Sequence, residues 1–590
     1  MIMKYGKILL MTGMLTLAGE SIAQDNVVAL LPDGVEANVN PERKQDKAKN
    51  LVVAGSPEKG YKAFFAATNA ANGEELWVTD GTKEGTKLVK DIVPGTGSSN
   101  PSNLGRLNDK VLFAAYTDED EVQVWVSDGT EEGTFQLTTN IVPGTGASPV
   151  AFTQLNETQA IFAAYDEESA EYDPDRGPQR WLWITDGTVD GTKRLKAVDL
   201  RWPGQDNTTL HTAYVRSGRR VFFKADDIDG TTGEELWVTD GTEDGTYLVM
   251  DINWERYGEG EPGYAEGWTR NSAIDNLENY KNEGVVFKAW TPDFGNEPWY
   301  SDGTKAEKAN GPGGDGDDHT FMIKDTNPGK DENGIGFGGN PFGYGFEVYK
   351  DKIWYRAYSP EGGQEFGGYG NKRDDWAYYD VFQEEPSWEH ESFSDPGCVF
   401  DGVYMFCAAH GFDAAIEDHI GGEMWYFDGE KVQLQMDFVP GTGCDWIKEQ
   451  TVAGGSMYWW NEVDAPPVGA YTGALYRLDS KEATPVVVTH FDEEGDLCHS
   501  LRNLNGTIIF ASDKTHQIYV DEYTKEGWDG KSDFGYIEPD FGTPSETGIS
   551  KVKVTSTDEK GIYNLNGMRV NGNNLQKGVY LVNGKKVVVR

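Results

Sequence analysis

The sequence predicts an all-β chain: a β-propeller of about eight or nine four-stranded blades, followed by a small C-terminal β domain. Three observations predict it. One phrase returns along the chain, as ELWVTDGTKEGTKLVKDIVPG from Glu75, QVWVSDGTEEGTFQLTTNIVPG from Gln123, WLWITDGTVDGTKRLKAVDL from Trp181 and ELWVTDGTEDGTYLVMDI from Glu235, with a shorter EPWYSDGT from Glu297. The copies fall about every 50–60 residues, the length of one supersecondary unit. Each unit holds short apolar or alternating runs between turn signals, and no run carries a convincing helical period.

The second unit shows the elements in order. A weak strand near Leu104–Leu107 runs into an Asn-Asp turn, and Val111–Ala115 is a short apolar strand. An acidic loop from Asp118 to Glu121 leads to the alternating strand Val122–Val126. Asp128-Gly129-Thr130 turns the chain, the Asp bonding backbone two residues on and the Gly accepting positive φ. Gly133-Thr134 starts the next strand, which ends at Pro143-Gly144. Degraded copies follow the same frame at Met424–Gly429, Leu475–Asp479 and Ile518–Glu522, with a poorer one at Trp376–Asp380 after the strand Ile353-Trp354-Tyr355. This gives about nine units between residues 50 and 540. The last unit lacks a final strand, and Val27–Leu31 resembles one, so an N-terminal strand at 27–31 is expected to complete the last blade and remove the open edges of a ring.

These phrases resemble the ELWxxDGT repeat of secreted bacterial proteins. The resemblance implies a repetitive β fold of the propeller kind and supplies neither an activity nor a functional residue.

Residues 1–23 read as a signal peptide: Lys4 and Lys7, an apolar core from Ile8 to Ala18, and a small-residue cleavage site at Ser21-Ile22-Ala23 before Gln24. No later segment is long and apolar enough to cross a membrane. Residues 24–540 are the repeat region, and composition shifts after it. Residues 546–590 hold eight Lys/Arg and three Asp/Glu, whereas the whole chain has a net charge of −46. The runs GIYNLNGMRV and LQKGVYLVNGKKV read as two hairpins with Asn-Gly turns. On these runs and their terminal position, residues 541–590 resemble the C-terminal sorting domain of type IX secretion cargo. That resemblance implies the type IX machinery as partner, passage across the outer membrane, removal of the tail, and a place at the cell surface or outside it. The other reading is a small basic β domain with a binding role of its own.

An excess of 98 acidic over 52 basic residues argues against nucleic acid and anionic membrane as partners. Cys398, Cys407, Cys444 and Cys498 allow three pairings, with a Cys398–Cys407 hairpin staple and a Cys444–Cys498 bridge preferred on spacing. Recurrence in unit after unit assigns Trp77, Trp125, Trp183, Trp237, Trp299 and Trp425 to packing between blades rather than to sugar stacking. It likewise assigns Asp80, Asp128, Asp186, Asp240, Asp302 and Asp428 to the turn. The adjacent Asp and Gly do not match the Asp box of sialidases. The acidic run from Gly311 to His319 interrupts the fifth unit. There Asp315, Asp317 and Asp318 could hold Ca²⁺ through carboxylate oxygens, against the plainer reading of a solvated insertion; no other cofactor is expected.

Units five to eight depart most from the template, and divergence can mark a specialised face. Trp446, Trp459 and Trp460 are the candidate ligand-binding residues there. No G-x-S-x-G, H-E-x-x-H or P-loop occurs. The expectation is therefore an exported, non-enzymatic binding scaffold for glycan or protein. The alternatives are a carbohydrate-active enzyme with its site in residues 330–530, or a structural surface-layer component.

Overall fold

The structure is a computed structural model. It describes residues 27–40, 50–139, 146–166, 168, 179–200, 214–229, 231–258, 269–339, 348–381, 392, 395–409, 411–413, 418–436, 445–463, 473–490 and 497–530, and the strands 562–564, 569–570, 578–582 and 585–589. The chain divides into two compact units, 1–542 and 543–590. Every regular element among the described residues is a strand.

The first unit is a nine-bladed β-propeller of antiparallel sheets. Blade 1 is built on Val52–Ser56, Gly60–Asn69, Gly73–Thr79 and Lys87–Leu88, and blades 2 to 8 repeat this meander of four strands. Blade 9 has Cys498–Leu504, Thr507–Ser512 and Ile518–Asp521 from its own repeat. Its fourth strand is Val27–Ala29, with Val27 opposite Asp521 and Ala29 opposite Tyr519. The chain then runs on to pair Val35–Ala37 with Ala67–Asn69 of blade 1. One N-terminal stretch thus ties the last blade to the first.

Nine hydrophobic clusters fill the nine junctions between neighbouring blades. The third strand explains how. Successive side chains of a strand point to opposite faces, and in a propeller both faces of each sheet are buried. Phe64, Leu76 and Val78 therefore pack toward blade 2, while Phe65 and Trp77 pack back against Ile509 and Val520 of blade 9. Trp125, Trp183, Trp237, Trp299 and Trp425 each pack back onto the preceding blade in the same way.

The phrase that carries these tryptophans is explained almost letter by letter. Asp80 Oδ1 accepts from Thr82 N (3.0 Å) and Thr82 Oγ1 (2.7 Å), and Thr82 Oγ1 accepts from Gly85 N (3.0 Å). Thr86 Oγ1 donates to Thr82 O (2.6 Å) and lies 2.7 Å from Thr79 Oγ1. Gly81 has φ +91°, and a Cβ on Gly85 would fall 1.9 Å from Asp80 Oδ1, so neither position takes a side chain without rearrangement. The leading Glu is buried. Glu75, Glu235, Glu297 and Glu365 accept hydrogen bonds from the backbone of the segment leaving their blade, as Glu365 does from Val381 N (2.8 Å) and Ser392 N (2.9 Å). Burial drives all four carboxyls above their ordinary range, to about 7 for Glu75 and Glu297 and about 8 for Glu365.

Two expectations are corrected. Trp376–Tyr379 is the fourth strand of blade 6, not its copy of the phrase; the third strand is Gly363–Tyr369. Gly367 takes the tryptophan position, where a Cβ would meet that of Ala357 at 2.2 Å. On that face the junction with blade 5 is packed by Trp376 and Tyr378 of the fourth strand, while Trp354 of the second strand stacks on Phe366 at 4.9 Å on the other face, toward blade 7. Cys398 and Cys407 are buried thiols rather than a hairpin staple. The register sets Cys398 opposite Met405 and Cys407 opposite Asp395, with a bulge between, so the two are not cross-strand partners. Cys498 is also a buried thiol, and Cys444 lies outside the described residues.

In the second unit Ile562–Asn564 pairs with Arg569–Val570 and with Gly578–Val582. The last of these pairs with Lys585–Val589, making one four-stranded antiparallel sheet.

Candidate functional site

Blade 5 carries the phrase in altered form. In blades 1 to 4 the hydroxyl ending the third strand meets a threonine 7 residues on, at 2.7 Å (Thr79 with Thr86, Ser127 with Thr134, Thr185 with Thr192, Thr239 with Thr246). In blade 5 the same contact joins Ser301 to Thr320 at 2.8 Å, across 19 residues. The turn has been opened by an insertion, and its closing residue is His319, standing where blades 1 to 4 have Gly85, Gly133, Gly191 and Gly245. At those glycines a Cβ would fall 1.9–2.1 Å from the carboxylate of the turn aspartate. In blade 5 that close approach has become a bond: Nδ1 of His319 lies 2.8 Å from Oδ2 of Asp302.

The insertion is anchored along its length. Its first half lies against the outer strand of blade 4, with Ala306 N donating to Val249 O (2.8 Å) and Asn310 N to Asp251 O (2.9 Å). Its second half is a tight reversal with a bridge between Gly316 and Phe321. Asp317 Oδ1 accepts from His319 N (2.8 Å) and Thr320 N (2.7 Å). Both halves line a cavity of about 520 Å³, with Met250, Thr304, Lys305, Lys308, Asp318 and His319 on its walls.

The charges are set by these contacts. Burial pushes Asp302 upward, but hydrogen bonds from His319 and Thr304 outweigh it and leave the carboxyl below its ordinary range. The hydrogen bond to Asp302 raises His319 above its ordinary value, against a smaller opposing effect of burial. The charges of Asp302, Asp317 and Asp318 add to the rise. Asp302, an acceptor when ionised, fixes Nδ1 as the donor, which leaves Nε2 as the nitrogen that can take up or release a proton. A half-exposed imidazole with an orienting carboxylate, beside a polar cavity bearing two lysines, is suited to acid–base chemistry.

The residues singled out by sequence fall elsewhere or play other parts. Trp459 and Trp460 are fully buried, on opposite faces of the second strand of blade 8, and fill the junctions with blades 7 and 9. Neither can stack on a ligand. Trp446 lies on the first strand of that blade, opposite Glu462, and its side chain is outside the described residues. Asp317 directs a carboxylate oxygen to the backbone of its own reversal, and Asp315 pairs with Arg373 at 2.6 Å. Among the described residues no group of three or more His, Cys, Asp or Glu could hold a metal ion. Sequence reasoning missed the His319–Asp302 pair. The signal was present: His319-Thr320 aligns with the Gly-Thr of the phrase once the insertion is set aside.

No family model matches the chain, and no curated protein matches it. Among solved structures it is similar to a puromycin hydrolase, with 12% identity over 65% of this chain and 53% of that one, at a TM-score of 0.32. It is similar to a prolyl endopeptidase (11% identity, 70% and 54% covered, TM-score 0.33). A Mycobacterium tuberculosis puromycin-hydrolyzing peptidase also matches (10% identity, 82% and 61% covered, TM-score 0.35). This chain spans little more than half the length of the first two. These proteins are named as hydrolases and peptidases, in contrast to the expected non-catalytic scaffold for glycan or protein. The burial of Trp459 and Trp460 separately removes two of the three tryptophans named as ligand-binding candidates.

Proposed function

We propose that this chain is an exported hydrolase whose catalytic site is the blade 5 cavity. One observation carries the reading: an imidazole stands where four other blades have glycine, bonded to the aspartate that elsewhere only caps the turn. His319 Nε2 takes a proton from water while its Nδ1–H donates to Asp302. The water oxygen bonds to an acyl carbon, and the electron pair of the carbonyl bond moves to oxygen. Lys305 or Lys308 is placed to stabilise that oxyanion. As the carbonyl re-forms, the bond to the leaving oxygen or nitrogen breaks, and the His319 imidazolium returns its proton to it. The products are a carboxylic acid and an alcohol or amine. Thr304 offers a hydroxyl among the described lining residues, but that hydroxyl is engaged with Asp302, so water is the nucleophile of choice.

The test is turnover of peptide p-nitroanilides and p-nitrophenyl esters by the full chain, by H319N and by D302N. Loss of a general base lowers the rate by about 10²–10⁴-fold. Equal rates in all three proteins would end this reading.

The export route belongs to the same proposal: a signal at 1–23, and a sorting tail at 541–590 recognised by type IX machinery, with the mature protein at the cell surface or released. The separate unit beginning at Thr543 and its four-stranded sheet support it.

A further inference from the structure

The reversal that carries His319 is not held by blade 5 alone. The turn joining the third and fourth strands of blade 6, residues 370–375, reaches across to it. We propose that Arg373 in that turn is a positioning residue for His319, gripping the reversal from the neighbouring blade so that the imidazole stays against Asp302; this rests on the catalytic reading of His319.

The grip is specific. Arg373 Nη1 donates to Asp315 O at 3.1 Å and Nη2 to Asp317 O at 3.0 Å, so the two arms of the fork take two carbonyls of one strand of the reversal. Nη1 also lies 2.6 Å from Asp315 Oδ2, and the guanidinium sits 5.0 Å above the ring of Phe321, on the opposite strand. The turn is itself fixed, since Asp374 N donates to Ile323 O (2.7 Å) and Lys324 pairs with Asp374 (2.8 Å). Asp317 is the centre of the arrangement. Its carbonyl is held by Arg373, while its carboxylate receives the N–H of His319 and of Thr320. Releasing that carbonyl loosens the backbone on which the imidazole stands. A lysine carries the same charge but lacks the planar fork that spans two carbonyls.

The charged groups around His319 make the role separable from simple electrostatics. Asp302, Asp317 and Asp318 favour its protonated form, and Lys305, Glu307 and Lys308 line the same cavity. Removing the positive charge of Arg373 would by electrostatics alone raise the proton affinity of His319. Losing the Asp302 bond would lower it. The two roles therefore predict opposite signs.

The experiment is an NMR titration of His319 in the full chain with ¹³C-labelled histidine, the resonance being identified by its loss in H319N. It is run on the native protein, R373Q and R373K, with ester turnover measured alongside. We expect the His319 midpoint to move down in both variants. R373K, which keeps the charge, isolates the loss of the fork. Turnover should fall by on the order of 10- to 100-fold, mainly in kcat. A midpoint that is unchanged or raised in R373K overturns the proposal, and R373K serves where R373Q does not fold. If the native chain turns over no ester or peptide, the catalytic reading fails, while the midpoint still decides whether Arg373 positions His319.

Discussion

Replacing Glu365 by Gln should make the chain less sensitive to alkaline pH. The carboxyl is fully buried, and its oxygens accept from Val381 N and Ser392 N. Burial raises it from its ordinary value of 4.5 to about 8. The folded state therefore binds this proton more tightly than the unfolded chain. The associated stability is complete below pH 4.5 and declines as the pH climbs to about 8, after which it is lost. At about 1.4 kcal/mol per pH unit, the whole excursion is on the order of 5 kcal/mol. A glutamine cannot ionise, but one of its two terminal atoms donates where both glutamate oxygens accept. That mismatch costs about 1–3 kcal/mol at every pH. The two effects cross. E365Q should unfold more easily than the native protein at about pH 5 and resist denaturant better at about pH 9. The assay is the urea midpoint followed by tryptophan fluorescence at several pH values. Midpoints are compared because nine blades need not unfold in one step. General charge repulsion in a chain of net −46 also weakens the fold at high pH, but it acts on both proteins and drops out of the difference. Parallel native and E365Q curves from pH 5 to 9 would refute the reasoning.

Two further outcomes follow from the same geometry. Gly85→Ala puts a methyl 1.9 Å from Asp80 Oδ1, so the carboxylate must swing away from Thr82; the loss is about 1–2 kcal/mol, read as a lower urea midpoint, and an unchanged midpoint would mean the turn tolerates the carbon. Removing residues 543–590 should leave the propeller folded but trapped behind the outer membrane, visible by cell fractionation; undiminished surface or medium protein would remove the sorting role from the tail.

What could be read from sequence tracks what repeats. The phrase identified the propeller because its letters answer to local physics that is the same in blades 1 to 4: hydroxyls and an aspartate tie the turn, glycines admit close approach, and a tryptophan fills the junction. Blade 6 was misplaced because the tryptophan position of its phrase holds Gly367, and the aromatics of its fourth strand, Trp376 and Tyr378, pack into the junction with blade 5 instead. Trp459 and Trp460 looked specialised because they stand in a unit that departs from the repeat template. Adjacent residues of a strand face opposite ways, and in a propeller both ways lead into a core. The leading glutamate passed as an ordinary polar residue because its partners are backbone groups far along the chain. His319 was hidden by the insertion, which separates it from the aspartate it replaces a glycine to reach.

The strand Val27–Ala29 gives the molecule a particular relation to time. Leu31 N bonds to the side chain of Gln517, 486 residues away. Bringing such distant segments together carries a chain-entropy penalty of roughly 5–6 kcal/mol, growing as the logarithm of the separation. The earliest strand to emerge must therefore wait, unpartnered, until nearly the whole propeller has been delivered. A chain that passes through a membrane before folding meets this condition naturally, since its two distant strands arrive on the same side together. Once they have met, fraying at this seam means opening the circle itself, so the last step of assembly is also the latch against its reversal.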